Sequence, residues 1–266
     1  MKRALWTSRI LLTAMLLGGC SASQWDNPPA TASSQMSEQN AAVDLPKSKR
    51  GNPPFYEVYG VRYTVMDSSA GYRERGVASW YGKKFHGRDT SSGERYNMYA
   101  MTAAHKTLPL PTNVRVTNLE TGKSIIVRVN DRGPFVKNRL IDLSYAAALE
   151  LDVVQNGTAM VEVVALTGNS SVASTANKAT YSPRTSEEMY LQVGAFGDVN
   201  NARQLADKLT RNGIANVKVY ASSSTSPKLY RVRVGPVHSV SEYDRLAQQV
   251  ERLQIANVHL VVGNEG

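Results

Sequence analysis

Apolar residues recur along this 266-residue chain in two rhythms, and the change of rhythm divides it. Between residues 75 and 167 the period is that of strands. Val77–Tyr81, Val114–Asn118, Ser124–Asn130 and Thr158–Leu166 alternate or run in β-branched residues, and Thr121-Gly122 marks a hairpin turn between the second and third. Tyr145–Leu151 is rich in alanine and follows Ser144, a residue type that satisfies the free N–H groups of a first helical turn. Several short strands, one short helix and Gly/Pro punctuation predict a small, mainly β barrel.

Residues 187–266 mix both periods and repeat themselves at an offset of 41 residues. Val193-Gly194 recurs as Val234-Gly235, and Ile214-Ala215-Asn216-Val217 as Ile255-Ala256-Asn257-Val258. In each half a strand, Tyr190–Phe196 or Tyr230–Val237, precedes a helix with one apolar face. That face is Ala202, Leu205, Ala206 and Leu209 in the first half, and Tyr243, Leu246, Ala247, Val250 and Leu253 in the second. Ser239 and Glu242 have the spacing of a capping box. Two such βαβ halves predict a four-stranded antiparallel sheet with both helices on one face, leaving the other face open to a ligand.

Elsewhere the periodicity fails. Residues 20–74 and 168–186, rich in Ser, Ala, Asn, Thr and Pro, read as a mostly disordered tether and a shorter linker. At about 5–6 Å times the square root of length, the tether reaches roughly 40 Å. Residues 1–19 read as an export leader, with Lys2 and Arg3 ahead of an apolar Ile10–Leu17 too short to span a bilayer. The leader runs into Leu17-Gly18-Gly19-Cys20, which resembles the lipobox of bacterial lipoproteins. Cys20 is the single cysteine, so neither an internal disulfide nor a thiol nucleophile is available. Lipidated, it would hold the protein stably on a membrane. Ser21 rather than Asp follows it, which in enterobacterial-type sorting implies the periplasmic face of the outer membrane.

Formal charge is +9, of which Lys2, Arg3 and Arg9 would leave with the leader. Both folded blocks mix the two signs, unlike the single-sign field of a nucleic-acid binder. A mild basic excess suits a weakly anionic wall polymer.

Candidate chemistry gathers between Gly76 and Ala148. Asp131 ends a Val/Ile-rich strand and precedes Arg132-Gly133-Pro134, as either a turn residue or a general acid at a strand end. Glu94 lies in a polar loop after Ser91-Ser92-Gly93, and His105 follows Thr102-Ala103-Ala104. His86, His105 and Glu94 match no metal-site spacing, so neither a metal nor a cofactor is expected. No Gly-x-Ser-x-Gly elbow or phosphate loop is present. Trp80, Tyr81, Phe85 and Tyr96 could stack on sugar faces, although one or two of them must fill the barrel core.

Together these residues resemble the rare lipoprotein A (RlpA) family. The matching runs are Gly76–Gly82, Phe85-His86-Gly87, Thr102–His105, Val129–Pro134 and Ile141–Ser144, which look like its double-psi β-barrel. Leu191–Phe196 and Tyr230–Pro236 resemble a SPOR domain, with Ala195 where such domains often carry Ser. The resemblance implies a six-stranded barrel over 75–167 and a βαββαβ SPOR domain over 187–266. It implies an endolytic lytic transglycosylase that cleaves the MurNAc-β-1,4-GlcNAc bond of glycan strands stripped of stem peptides, leaving 1,6-anhydro-MurNAc ends. On that basis Asp131 is the acid/base, Glu94 the second polar group, and His105 an orienting or oxocarbenium-stabilising partner. Gln192, Phe196, Tyr230 and Arg231 would bind the same denuded glycan on the open SPOR face and concentrate the protein at the division septum, where unspecified divisome proteins could meet it. Two rivals stand beside this reading: a non-catalytic septal glycan binder, and a hydrolase using Glu94 and Asp131 as a carboxylate pair.

Overall fold

The computed structural model describes residues 41–168, 188–222, 227–255 and 258–263. The expected leader, Cys20 and almost the whole 168–186 linker lie outside them. Among the described residues no helix is long and apolar enough to cross a membrane.

Six strands close the first domain. They are β3 (Arg73–Trp80), β4 (Thr102–His105), β5 (Thr112–Asn118), β6 (Ser124–Asp131), β7 (Ile141–Leu143) and β8 (Ala159–Ala165), in the order β3-β7-β4-β6-β5-β8 with β8 returning to β3. The β3–β7 and β4–β6 pairs are parallel and the rest antiparallel, so each short strand is threaded beside a longer one. Alternation along β5 and β6 sends Val114, Val116, Ile125, Val127 and Val129 inward, where they meet Ile141, Leu143, Val161 and Val163. Helix α1 (Tyr145–Glu150) plugs one end with Ala147 and Ala148, and its Ser144 cap accepts the N–H of Ala147 at 3.2 Å. The six-stranded barrel of the sequence reading is present. Its two shortest strands, β4 and β7, are ones that the hydrophobic pattern does not mark.

The tether expected over residues 20–74 does not hold for its described part. Strands β1 (Phe55–Val58) and β2 (Val61–Thr64) form a hairpin through Tyr59 and Gly60, both at positive φ. Tyr56 stacks on Tyr63 at 5.3 Å, and Phe135 packs against both at 6.2 and 5.7 Å. Upstream, Asn52 exchanges hydrogen bonds with Leu110, donating to its carbonyl and accepting its N–H, each at 2.7 Å. A Pro/Ser-rich segment is thus held in place against barrel groups.

In the second domain β9 (Met189–Phe196), α2 (Val199–Arg211), β10 (Val217–Ala221), β11 (Tyr230–Val237), α3 (Val240–Arg252) and β12 (His259–Val262) give the predicted βαββαβ order, with strands arranged β10-β11-β9-β12. Ser239 accepts the N–H of Glu242, whose carboxylate reaches back to the N–H of His238. Leu191, Val232 and Val234 pack beneath Ala202, Leu209, Leu246 and Val250 of the helices. The two domains touch. Leu260 of β12 pairs with Arg75 of β3, and Val77 and Met160 of the barrel join the second core.

Candidate active site

One irregularity in β6 creates the site. Along the parallel β4–β6 pair, Ala103 faces Val129 but Ala104 faces Asp131, so Asn130 is an extra residue, a β-bulge. Strict alternation would place Asp131 on the core side with Val127 and Val129. The bulge turns it instead to the outer side, beside Ala104. Gly133, at φ 139°, carries the chain away; a side chain there would be strained, and its Cβ would lie 3.7 Å from that of Ala104.

Asp131 is half-buried and its two oxygens differ. Oδ1 accepts the Ser91 N–H at 2.8 Å, the Ser91 hydroxyl at 2.7 Å and the Arg132 N–H at 2.7 Å. Oδ2 receives only a long contact from the Tyr81 hydroxyl at 3.4 Å. Burial, and then the Asp131 and Asp142 charges, push the Tyr81 phenol far up, so it stays a donor. The Tyr81 ring leans on Tyr96 at 4.8 Å and Phe85 at 6.0 Å. Of the four candidate stacking aromatics, Tyr96 is buried, Trp80 packs on Tyr145 at 5.6 Å, and Phe85 stands exposed at the rim beneath Lys84 and Arg88.

Glu94 comes to the same cleft but is not a free acid. Arg128 grips both of its oxygens at 2.5 and 2.6 Å, and the Asn130 amide adds a third bond at 2.9 Å. A forked guanidinium fixes a carboxylate's orientation through two parallel bonds. Glu94 therefore ties the loop carrying Ser91 to the bulge.

His105 points elsewhere. It is 2% exposed, and its Nδ1 accepts the N–H groups of Thr107 and Leu108 at 3.2 and 3.1 Å. Nε2 therefore carries the ring proton and donates to Tyr72 at 2.9 Å, while the Tyr72 hydroxyl donates to Glu74 at 2.8 Å. Burial first, then the charges of Lys106 and Arg132, lower its pKa to about 3. The ring is neutral, and it shapes the 105–108 turn behind Ala104. An oxocarbenium-stabilising place for it, expected from the resemblance, does not fit this geometry; an orienting one does.

Two site residues escaped the sequence reading. Arg132, buried, spans the domain: its guanidinium donates to the carbonyls of Gly51 at 2.6 and 2.9 Å, Leu108 at 2.5 Å and His105 at 3.3 Å. Asp142 on β7 receives the Ser79 hydroxyl, and burial raises its pKa while Ser79, Lys106 and Arg139 oppose the rise. Its signal in the sequence was a lone acid within the apolar run Leu140–Leu143. Among the described residues, no group of three or more His, Cys, Asp or Glu side chains could hold a metal ion.

The second domain presents a separate face. Gln192 pairs with Arg233, Ala195 with Arg231 and Arg231 with Tyr220, which places these side chains opposite the helices. Arg233 lies over the Tyr220 ring at 5.1 Å, Tyr190 meets that ring edge-on at 6.1 Å, and the buried Nη1 of Arg231 finds no hydrogen-bond acceptor among the described residues. Phe196 and Tyr230, expected on this face, are not there. An extra residue at Val193 shifts the register, so Phe196 and Tyr230 pair with each other and pack against the helix-side core.

A closed barrel with two crossed parallel pairs and an outward carboxylate, followed by a repeat-built glycan-binding-type sheet, defines the class of double-psi β-barrel proteins that carry a SPOR domain. Family models agree: one described as a lytic transglycolase matches residues 73–163, and one described as a SPOR domain matches 185–259. The endolytic peptidoglycan transglycosylase RlpA of Vibrio cholerae is 39% identical, covering 91% of this chain and 91% of that protein. The protein of that name from Pseudomonas aeruginosa strain UCBPP-PA14 is 38% identical, over 83% of this chain and 80% of its own. That from Neisseria meningitidis serogroup A is 41% identical, over 77% and 82%. The chain belongs to the RlpA family.

Proposed function

We propose that this chain is an endolytic peptidoglycan lytic transglycosylase acting on denuded glycan strands. The observation that carries the reading is Asp131, half-buried and lifted out of the core side by the Asn130 bulge, with Oδ1 committed to three donors and Oδ2 left with a single long contact from Tyr81. A carboxylate so placed serves the intramolecular displacement in which the C6 hydroxyl of MurNAc attacks C1. Tyr81 and Phe85 form an aromatic wall for a sugar face. The rival hydrolase pair is disfavoured because both oxygens of Glu94 are already engaged by Arg128 and Asn130, which hold it away from a reacting sugar.

The SPOR face supports binding of the same polymer. Its half-buried row of Gln192, Tyr220 and Arg231, on the sheet face away from the helices, offers donors and a ring edge suited to a neutral sugar strand. With the lipobox-like Cys20, we propose a lipid-anchored protein on the periplasmic face of the outer membrane, concentrated at the septum. Divisome partners remain unspecified by its chemistry.

Mass spectrometry of denuded glycan treated with the detergent-solubilised full chain tests the reaction. Anhydro-ended fragments from wild type, absent with Asp131→Asn, are expected. Reducing-end sugars would mean hydrolysis, and intact glycan that still binds the protein would make it a binding lipoprotein.

A further inference from the structure

Asp142 has no part in the mechanism so far, yet it shares a row of the sheet with Asp131. On β7 it faces Ala104 of β4, and Ala104 in turn faces Asp131 of β6. Ser79 of β3 faces Asp142 from the other side and donates its hydroxyl to it. Residues opposite one another on neighbouring strands project to the same face. The row Ser79–Asp142–Ala104–Asp131 thus raises two carboxyl groups with only a methyl group between them. Two strand spacings put their Cα atoms about 10 Å apart. Two aspartate side chains reaching toward each other can span such a gap to within about 5–9.5 Å, the range over which glycosidase carboxyl pairs work. Tyr81 lies within reach of both charges.

Every element packed around Asp142 bears on its proton. Ser79 on β3, Lys106 after β4 and Arg139 before β7 favour the carboxylate; burial and Asp131 on β6 favour the acid. Burial has the largest effect, and Lys106 is itself weakened as a cation by burial while its ammonium donates to the Arg139 carbonyl. Tyr81 and Tyr96, the phenols that feel its charge, are held neutral.

We propose that Asp142 is the second catalytic carboxyl of this site: it donates a proton to the departing glycosidic oxygen, while Asp131 accepts the proton of the MurNAc C6 hydroxyl. The C1–O4 bond breaks with its electron pair going to O4, which takes the Asp142 proton. The C1–O6 bond forms as the C6 hydroxyl gives its proton to Asp131. The pair ends with one proton on the opposite partner and resets by exchange with water. This assignment rests on the transglycosylase reading, and it gives the role of second carboxyl to Asp142 instead of the Arg128-bound Glu94.

The test compares the full chain in detergent with Asp142→Asn, Ser79→Ala and Asp131→Asn across pH. Two substrates are used: denuded glycan, and a 4-nitrophenyl β-glycoside of the GlcNAc–MurNAc disaccharide, whose phenolate leaves without a proton. On glycan, Asp142→Asn should be slower by roughly 10²–10⁴-fold and lose the alkaline limb of the rate profile. On the aryl glycoside its defect should shrink below about tenfold while that of Asp131→Asn persists, since only protonation of the leaving group has been bypassed. Ser79→Ala removes a donor to the carboxylate, so its alkaline limb should move to higher pH; this variant decides the matter should Asp142→Asn fail to fold. Equal losses on both substrates, or an unmoved limb in Ser79→Ala, overturn the proposal. A wild type that forms no anhydro ends brings down the transglycosylase reading itself, whereas anhydro ends from wild type and from an undiminished Asp142→Asn bring down this assignment alone.

Discussion

At the scale of single residues, His105 separates what a motif suggests from what an environment permits. An imidazole in a carboxylate-bearing domain invites a catalytic role, but this ring has both nitrogens committed and is sealed from water. Its folded pKa of about 3 lies below the ordinary 6.5, so the unfolded chain binds the extra proton between those values. The stability it contributes is complete above pH 6.5 and is lost as pH falls toward about 3, at no more than about 1.4 kcal/mol per pH unit. Urea unfolding of wild type beside His105→Asn, whose amide oxygen can still accept the Thr107 and Leu108 N–H groups, should show this slope in wild type alone. At pH 7 the variant should lose about 0.5–1.5 kcal/mol, because the Tyr72 oxygen loses the Nε2–H donor while its own hydroxyl keeps Glu74. Parallel pH slopes for the two proteins would mean that the ring is not buried neutral. The sequence put Asp131 first, with Glu94 and His105 in supporting roles. It could not show how each is held, because Ser91 beside Asp131, Arg128 beside Glu94 and Tyr72 beside His105 are distant from them in the chain.

Among the elements, legibility followed alternation. β5, β6 and β8 bury one face and were readable, whereas β4 is buried at all four positions and β7 has three residues, so neither has a period to detect. Bulges are hidden for a different reason: the extra residues at Asn130 and Val193 exist only relative to partner strands, yet they decide where Asp131 and Phe196 point. Around Tyr59-Gly60 the alternating run Phe55–Thr64 did carry a hairpin signal, masked by its Pro- and Ser-rich surroundings. The family match begins at residue 73, but the barrel is also tied to residues upstream of it, Arg132 to Gly51 and Asn113 to the Ala41 carbonyl. A chain starting at residue 73 should therefore be less stable than one starting at 41 by more than about 3 kcal/mol, and Arg132→Lys should reproduce much of the loss, since an ammonium lacks the planar fork. Thermal unfolding of the three chains checks both; equal midpoints would return residues 41–72 to the status of a tether. In the second domain, Gln192→Ala and Arg231→Ala should weaken glycan pull-down without changing the melting temperature. Phe196→Ala and Tyr230→Ala should lower the melting temperature instead, the reverse of what strict alternation in β9 would give.

Taken whole, the molecule joins its two sites through the segment that separates Asp131 from Asp142. Within it Arg139 forks onto Asp244 of α3 at 2.9 and 3.0 Å, and Lys137 reaches Glu251 about two turns further along the same helix face. Docking uses the helix side and the β12 edge of the second domain, so the sheet face bearing Arg231 stays available for glycan. The Arg139–Asp244 pair is largely shielded from water, which makes removal of one partner costly to the other. Arg139→Asp should therefore loosen the two domains, read as a larger radius of gyration by small-angle scattering. Adding Asp244→Arg should restore compactness, with a coupling of about 0.5–3 kcal/mol in a double-mutant cycle. Activity should not return with it. Arg139 also favours the ionised form of Asp142, and the exchanged pair leaves a carboxylate at that position, so the alkaline limb of the rate profile should stay displaced to higher pH even in the compact double variant. Recovery of compactness together with a wild-type pH profile would show that the domain contact and the reacting pair are independent. A displaced limb in a recompacted protein would show that one cation serves both.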